Sequence, residues 1–469
     1  MEVIQSVLAF IVTLSILVTI HEYGHYLVAR LCNVHVLRFS VGFGKPLLTK
    51  RGPAPVLAVP VDQEIKTRSN EPLQGTEFTV AAIPFGGFVK MLDEREGYVP
   101  DDQLHLAFNR KPVLQRIAIA SAGPIANFLL AIVVYWMLFS VGVTGVIPKL
   151  GEIDPDTMAG RAGLVAGDEI VAVDRTPVST WSDVNLRLFE RLGESGELTI
   201  TVKAGLDFTR DHVIPINDWL KGEDDPYPSA ELGLQLWYPK IPAVVNELVT
   251  GGRAEEAGLE KGDEIIKIDG SPVNDWGEWV QIIQMHPEQS IQLEILRGTE
   301  TIYLPVIPAA IENDGKTTGF IGVSRIPVQQ PEDMLRKINY PVYQAIVPAL
   351  EKTWDVAAFT VLAVKKMVVG AISTSNLSGP ITIARVANTT AQSGLESFAG
   401  FIALISISLG VLNLLPIPML DGGHILYYLI ELVFRRPLPQ RIQVWGLQFG
   451  LFLLIGIMML AFYNDLVRL

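Results

Sequence analysis

The stretch ILVTIHEYGHYLVARLC, residues 16–32, places two histidines and a glutamate between apolar segments. It continues an uncharged run that begins at Val3, so the polar residues lie at the end of an apolar helix. A charged side chain at the centre of a membrane helix costs about 2.5–3.5 kcal/mol, and less near an interface. A helix that keeps three such residues within little more than one turn is therefore expected to use them.

The composition of the whole chain indicates a membrane protein. Of its 469 residues, 49% are hydrophobic and 19% are charged, and the mean hydropathy is +0.33. A soluble enzyme is ordinarily less apolar. The formal net charge of −13 argues against a nucleic-acid partner, which would require a basic surface.

Uncharged stretches long enough to cross about 30 Å of hydrocarbon occur four times, at 3–20, 117–148, 397–420 and 444–463. The N-terminus lacks a basic segment and a cleavage site, so the first stretch is interpreted as a retained span. Arginine and lysine residues lie near both ends of the segment that joins the first two spans. Three arginines also lie in the short loop between the last two spans. The positive-inside rule therefore predicts that both connections are cytoplasmic and that both termini and the segment 149–394 lie outside.

An internal repeat occupies this outer segment. AGRAGLVAGDEIVAVDRTPVSTW, residues 159–181, and AEEAGLEKGDEIIKIDGSPVNDW, residues 254–276, match at a spacing of 95 residues. Such a spacing indicates two copies of one small domain. The pattern A-x-x-A-G-L-x-x-G-D-x-I-x-x-[VI]-D resembles the PDZ family, which implies a groove that binds an extended peptide by strand addition. Domains that serve only as a rigid spacer or size filter are the alternative.

A further apolar run, residues 353–373, is interrupted by Asp355, Lys365 and Lys366. The charges make it a poor span, and the pattern favours an interfacial helix with its apolar side towards the membrane. A helix packed on the repeats is the alternative.

The HEYGH motif has the residue types and spacing of a metal site. His21 and His25 are four residues apart, so one face of a helix presents both imidazoles to a single point. Such a pair can bind Zn²⁺, which lowers the pKa of a water towards about 7. Glu22, about 100° around the helix axis, is then the candidate general base for attack on a carbonyl. A solvent-exposed helix end is the alternative.

Zinc hydrolases usually have three protein ligands, so a third is expected from another part of the chain. The best source is NLLPIPMLDGGH, residues 413–424, where two prolines should break the third span. Asp421 is thereby predicted at a broken helix end, at the depth of the two histidines. An Asp421 that only caps the following helix is the alternative. His424 is expected to face away, although a role as ligand stays open.

Taken together, HEYGH near the end of a first span and N-x-x-P-x-x-x-L-D-G in a later one resemble the site-2 protease family of intramembrane zinc metalloproteases. With two tandem PDZ-like repeats between the second and third spans, the chain resembles the regulator of sigma-E protease type of Gram-negative bacteria over essentially its whole length. The resemblance implies His21, His25 and Asp421 as zinc ligands, Glu22 as the general base, and Asn413 and Pro416 in substrate handling.

The resemblance also implies a function: a zinc-dependent endopeptidase of the bacterial inner membrane that cuts single-span proteins within the bilayer. The implied substrates are an anti-sigma factor already trimmed outside, and remnant signal peptides. Two domains above the membrane entrance would exclude substrates whose outer domain is still large. The enzyme is expected to act as a monomer, with the lipid bilayer as its surroundings.

Cleavage inside a membrane raises a physical difficulty that AAIPFGGFVKML, residues 81–92, could resolve. A substrate helix bonds its backbone groups internally, so it must unwind before a carbonyl is open to attack. We predict that an edge strand pairs with the unwound substrate by strand addition, and that this strand consists of Gly87, Phe88, Val89, Lys90 and Met91. RFSVGFG, residues 38–44, would be its neighbour, and an ordinary hairpin is the alternative.

The sequence thus predicts a multi-pass α-helical membrane protein of four spans with a membrane-associated β element and two tandem PDZ-like α+β domains. The expected segments are 1–30, helix 1 with HExxH; 31–112, cytoplasmic-side loop with the β element; 113–145, helix 2; 146–237 and 238–330, the PDZ-like domains; 331–394, membrane-surface helices; 395–420, helix 3; 421–442, the LDGG turn and loop; and 443–465, helix 4. A non-catalytic adaptor with a structural metal site is the alternative, but such a site would want four protein ligands and leave Glu22 idle.

Overall fold

The structure is a computed structural model that describes residues 2–53, 74–204, 208–313, 316–325 and 331–468. Residues 54–73 of the expected cytoplasmic-side loop, and 326–330 at the end of the expected second PDZ-like domain, lie outside the described residues.

The helices and strands below are those of the described residues. The helices are α1 Glu2–Leu31, α2 Val113–Val141, α3 Met158–Arg161, α4 Trp181–Glu190, α5 Pro228–Leu232, α6 Arg253–Glu256, α7 Trp276–Met285, α8 Ile346–Val368, α9 Pro380–Gln392, α10 Leu395–Leu414, α11 Asp421–Phe434 and α12 Gln440–Val467. The strands are β1 Val36–Arg51, β2 Glu77–Met91, β3 Val143–Val146, β4 Glu169–Val173, β5 Thr176–Pro177, β6 Gly196–Ala204, β7 Phe208–Ile216, β8 Val245–Leu248, β9 Glu264–Ile268, β10 Ser271–Pro272, β11 Ile291–Arg297, β12 Glu300–Val306, β13 Ala309–Asn313, β14 Lys316–Phe320, β15 Val323–Arg325 and β16 Leu335–Ile338.

Helices α1, α2, α10 and α12 are the four that are long and apolar enough to cross a membrane among the residues described. The predicted stretches 117–148 and 397–420 are too long at their C-terminal ends. Helix α2 ends at Val141, where Gly142 takes a φ of 106° and a strand follows. Helix α10 ends at Leu414, because Pro416 has no N–H and the residue before it, Leu415, is extended at φ −61° and ψ 144°.

Helix α2 is the central helix of the bundle and packs against α1, α8, α10 and α11. Small side chains allow this close packing. A Cβ on Gly24 of α1 would lie 2.7 Å from the Cβ of Ala126 on α2, so these helices touch through their backbones. Towards α8 and α10, the side chains of Ala131, Ala349 and Ala403 are completely buried.

The predicted β element is present and follows the first helix. Residues 36–41 pair on one side with 87–91, through Phe39–Val89 and Ser40–Phe88, and on the other side with 77–80. Residues 48–51 pair with 77–80 in turn, so the order is 87–91, 36–41, 77–80, 48–51. The predicted pairing of RFSVGFG with FVKML is therefore confirmed. Residues 87–91 form an edge, since 36–41 is their only partner strand among the described residues.

The two repeats form two similar units, each with its own core. In the first unit the strand order is β5-β4-β6-β7, and in the second it is β10-β9-β11-β12. Each sheet carries one ten-residue helix, α4 or α7. The predicted turn and strand of each GDEI motif correspond to β4 and β9.

A short stem, which the sequence did not predict, connects these units to the helical bundle. Strand β3 directly follows α2 and pairs antiparallel with β16, which precedes α8, through Val143–Ile338 and Val146–Leu335. The chain therefore leaves the bundle and returns to it at the same place.

Helix α8 is held against the first repeat unit by charged side chains. Lys352 contacts Asp183 at 3.1 Å, Asp355 contacts Arg187 at 2.6 Å, and Lys366 contacts Glu194 at 2.7 Å. Two of the three charges that interrupt 353–373 thus have protein partners, as the packed-helix alternative requires. The position of α8 relative to a membrane surface stays a prediction.

Candidate metal centre

Helix α1 continues without a break through HEYGH to Leu31, so the two histidines share one face. The Nε2 atoms of His21 and His25 are 3.2 Å apart. Both side chains are nearly buried, with 8% and 9% of their surface exposed. The interpretation as a solvent-exposed helix end is therefore wrong, because α2 and β2 pack against α1.

Asp421 meets the two histidines from the opposite end of the sequence. Its Oδ2 lies 3.1 Å from Nε2 of His21 and 3.5 Å from Nε2 of His25. Asp421 is the first helical residue of α11 rather than its cap, which is Leu420. Capping therefore does not explain this aspartate.

The three side chains have the donor set and spacing that zinc requires. His21, His25 and Asp421 each offer one ligand atom, and these atoms lie within 4.8 Å of one another. Ligand atoms about 2.0–2.2 Å from one tetrahedral ion are separated by roughly 3.4 Å, close to the distances observed. The Nδ1 atom of His25 lies 2.7 Å from the carbonyl oxygen of Ile119, which leaves its Nε2 free to act as a ligand. These residues therefore fit a Zn²⁺ ion.

Gly123 of α2 lies directly beneath the two imidazoles. A Cβ at this position would come within 2.7 Å of Nε2 of His21 and closer still to Nε2 of His25. The structure makes Gly123 part of the metal centre, since a side chain there would occupy the space of the ligands.

Glu22 and the edge strand lie on the same side of the metal centre. A Cβ on Gly87 would lie 2.9 Å from Cγ of Glu22, so the strand backbone passes directly over this side chain. Nine of the predicted site residues line one cavity of about 720 Å³. Those that line it are His21, Glu22, His25, Gly87, Phe88, Val89, Lys90, Met91 and Asp421.

Asn413 and Pro416 are not among the residues that line this cavity. Asn413 is half-buried in the last turn of α10, and Pro416 is exposed in the turn that follows. Asn413 thus precedes the turn 415–420, and Pro416 lies within it. Their assignment to substrate handling stays a prediction from resemblance.

One face of α11 contributes residues that the sequence analysis missed. His424, Tyr428 and Glu431 line the cavity together with Asp421, so the expectation that His424 faces away is wrong. Glu431 accepts hydrogen bonds of 2.7 and 3.1 Å from Arg116 of α2, whose guanidinium lies 4.9 Å from the ring centre of Tyr428. Their spacing of three, seven and ten residues from Asp421 is the helical signal that could have found them.

Known proteins resemble this chain over its full length. Peptidase family M50 matches residues 9–55 and 63–457. A "Regulator of sigma-E protease RseP" of Escherichia coli is 39% identical over 461 residues, 98% of each chain. A "Protease RseP" of Yersinia pestis is 38% identical over 470 residues, and a "Putative zinc metalloprotease" of Vibrio cholerae is 39% identical over 474 residues, with 100% of each chain covered in both cases.

Among solved structures, the PDZ domain of the SdrC-like protein of Listeria innocua matches 19% of this chain and 99% of its own, at 23% identity and a TM-score of 0.17.

Proposed function

The chain belongs to peptidase family M50 and is a site-2 metalloprotease, and from this membership we propose that it hydrolyses a peptide bond within the membrane segment of single-span proteins, using Zn²⁺. The observation that carries the proposal is the convergence of His21, His25 and Asp421 in a cavity that Glu22 also lines. When bound, Zn²⁺ supplies Lewis acidity that makes a water a nucleophile near neutral pH and polarises a carbonyl.

Each residue of the site has a definite role in this proposal. His21, His25 and Asp421 hold the ion. Glu22 accepts the proton of the attacking water and returns it to the leaving amine, because its carboxylate shares the cavity in which the scissile bond would lie. A structural zinc site would close with a fourth protein ligand. The group found among the described residues has three, which favours catalysis over the non-catalytic adaptor.

We propose that the edge strand 87–91 holds the unwound substrate. Its free edge faces away from 36–41, and Gly87 brings its backbone against Glu22. A peptide added to this edge would satisfy its freed backbone groups and lie across the metal centre. Strand addition thus serves both to stabilise the extended peptide and to position its carbonyl.

Val89→Pro tests strand addition, because proline removes a backbone N–H and fits poorly in a strand ladder. We expect cleavage to fall about 5- to 30-fold, which corresponds to one or two lost backbone hydrogen bonds of ~1 kcal/mol each. Val89→Ala, which keeps the N–H, is the matched control and should stay close to the unaltered rate. Normal cleavage by a Val89→Pro protein with an unchanged melting temperature would contradict strand addition here.

We propose that the two repeat units are PDZ-like domains that act as a size filter on the outer side of an inner membrane. The repeated motif and the matching sheet order of the two units support the PDZ-like assignment. The name of the Escherichia coli relative links that protein to the regulation of sigma-E. From the family resemblance we propose an anti-sigma factor, already trimmed on its outer side, as a substrate in envelope stress signalling. Remnant signal peptides, whose outer portion is short, would pass the same filter. The arginine- and lysine-rich connections between the spans support, through the positive-inside rule, a metal centre near the cytoplasmic side.

The test is cleavage of a purified single-span substrate by the purified full-length protein, with the products identified by mass spectrometry. We expect cuts inside the membrane segment, loss of cleavage on chelation and recovery on adding Zn²⁺. The same substrate with a folded outer domain should be cut much more slowly. Cleavage that persists after complete metal removal, or cuts only outside the membrane segment, would contradict the proposed activity.

A further inference from the structure

Asn127 is a polar side chain in the middle of α2, and it is completely buried, with 0% of its surface exposed. Its amide nitrogen is placed 3.3 Å from Nδ1 of His21. Its amide oxygen has no hydrogen-bond partner among the described residues. The backbone carbonyl of the same residue accepts a hydrogen bond of 2.8 Å from the hydroxyl of Ser406 on α10.

The chemistry of His21 decides which end of this amide faces it. The Nε2 atom of His21 faces Asp421 and His25, so a metal held there needs the lone pair of Nε2 and leaves the ring proton on Nδ1. An N–H at Nδ1 requires an acceptor, and an amide nitrogen is not one. The oxygen and nitrogen of an amide have nearly the same shape, and turning the group by 180° exchanges them.

His25 provides the comparison within the same site. Its Nδ1 already faces an acceptor, the carbonyl oxygen of Ile119, at 2.7 Å. Metal-binding histidines usually donate their second N–H in this way, and the acceptor fixes both tautomer and ring orientation. Among the described residues, Nδ1 of His21 has no backbone acceptor, and Asn127 is the side chain that α2 presents to it.

We propose that Asn127 is a positioning residue of the metal centre: its side-chain oxygen accepts the Nδ1 proton of His21 and so keeps Nε2 available for the metal. This inference rests on the proposed metal centre. It goes beyond helix packing, because it assigns the oxygen and not the nitrogen of the amide as the functional atom. Loss of such a partner typically weakens metal binding by about 10- to 100-fold.

The test measures Zn²⁺ affinity of the full-length protein by competition with a chromophoric chelator, without any assay of activity. Asn127→Leu removes the acceptor at similar volume and should weaken binding about 10- to 100-fold. Asn127→Asp keeps an acceptor but has no N–H donor, and should stay within about threefold of the unaltered protein. Ser406→Ala, which removes only the contact to the backbone of residue 127, is the packing control and should bind normally.

The variants separate the possible outcomes. Equal affinity of Asn127→Leu and the unaltered protein overturns the proposal, and so does equal weakening of Asn127→Leu and Asn127→Asp. If Asn127→Leu does not fold, the Zn²⁺ affinity of Asn127→Asp decides. Retained affinity supports the side-chain oxygen as the acceptor. Lost affinity assigns the role to the amide N–H and overturns the proposal. Failure of the unaltered protein to bind Zn²⁺ would instead refute the metal centre itself.

Discussion

Glu22→Gln is expected to reduce peptide-bond cleavage by about 10²- to 10⁴-fold while the protein stays folded and metal-loaded. Glutamine has nearly the shape of glutamate but cannot accept a proton from water. Glu22 is not one of the three converging ligands, so its replacement should leave the metal site intact. The measurement is single-turnover cleavage of a purified single-span substrate, together with the zinc content of the same preparation.

Tyr23→Phe is the matched control, because Tyr23 is the next residue on α1, is 50% exposed and does not line the cavity. It should cleave at the unaltered rate. A Glu22→Gln protein that loses its metal would show that Glu22 acts in binding. A Glu22→Gln protein that binds metal and cleaves normally would show that Glu22 is not the general base.

Gly123→Ala is expected to abolish metal binding, and cleavage with it, by adding a single carbon. The new Cβ would lie within 2.7 Å of the Nε2 atoms of both His21 and His25, where real Cβ contacts are essentially never found. The ring of His25 cannot simply retreat, because its Nδ1 is held by the carbonyl of Ile119. Either the rings must leave their convergent arrangement or α1 must move away from α2. We expect Zn²⁺ affinity to fall by more than about 100-fold. This exceeds the loss typical when a residue that only hydrogen-bonds to a metal ligand is removed.

The control for Gly123→Ala is Gly400→Ala in α10, where nothing lies within 4 Å of the added carbon. Alanine favours a helix over glycine by about 0.5–1 kcal/mol, so the intrinsic effect of both changes is stabilising. The melting temperature of Gly400→Ala should be equal or higher, with normal zinc content and cleavage. Normal zinc content in Gly123→Ala would show that the two helices can separate enough to accept a side chain there.

The parts of the site that the sequence predicts are those encoded locally. The i, i+4 spacing places His21 and His25 on one helical face, and the prolines after Asn413 end α10 and leave Asp421 at the start of a new helix. Strand 87–91 follows a turn that Pro84, Gly86 and Gly87 favour. Each of these features depends on a few neighbouring residues, and short-range chemistry is enough to infer it.

The contribution of α2 could not be predicted in the same way. This helix is apolar on all sides, so no stripe of hydrophobic residues indicates which face meets α1. The contacts of Gly123 and Asn127 with the histidines are consequently visible only once the two helices are packed. The Arg116–Glu431 pair joins side chains 315 positions apart, a distance at which sequence spacing carries no information. Asn413 shows the opposite case. The family resemblance implies a role for it in substrate handling, but it is not among the residues that line the cavity.

The paired stem of β3 and β16 has a consequence for how this architecture can change. Opposite residues in an antiparallel pair lie about 4.5–5.5 Å apart, so the two ends of the outer segment are neighbours at its base. The outer units are therefore an insertion whose length does not affect the spacing between α2 and α8. The second repeat unit could therefore be gained, lost or exchanged above the stem without changing that spacing. Exchange of the first unit would also require changes in α8, because Lys352, Asp355 and Lys366 pair with charged side chains of that unit.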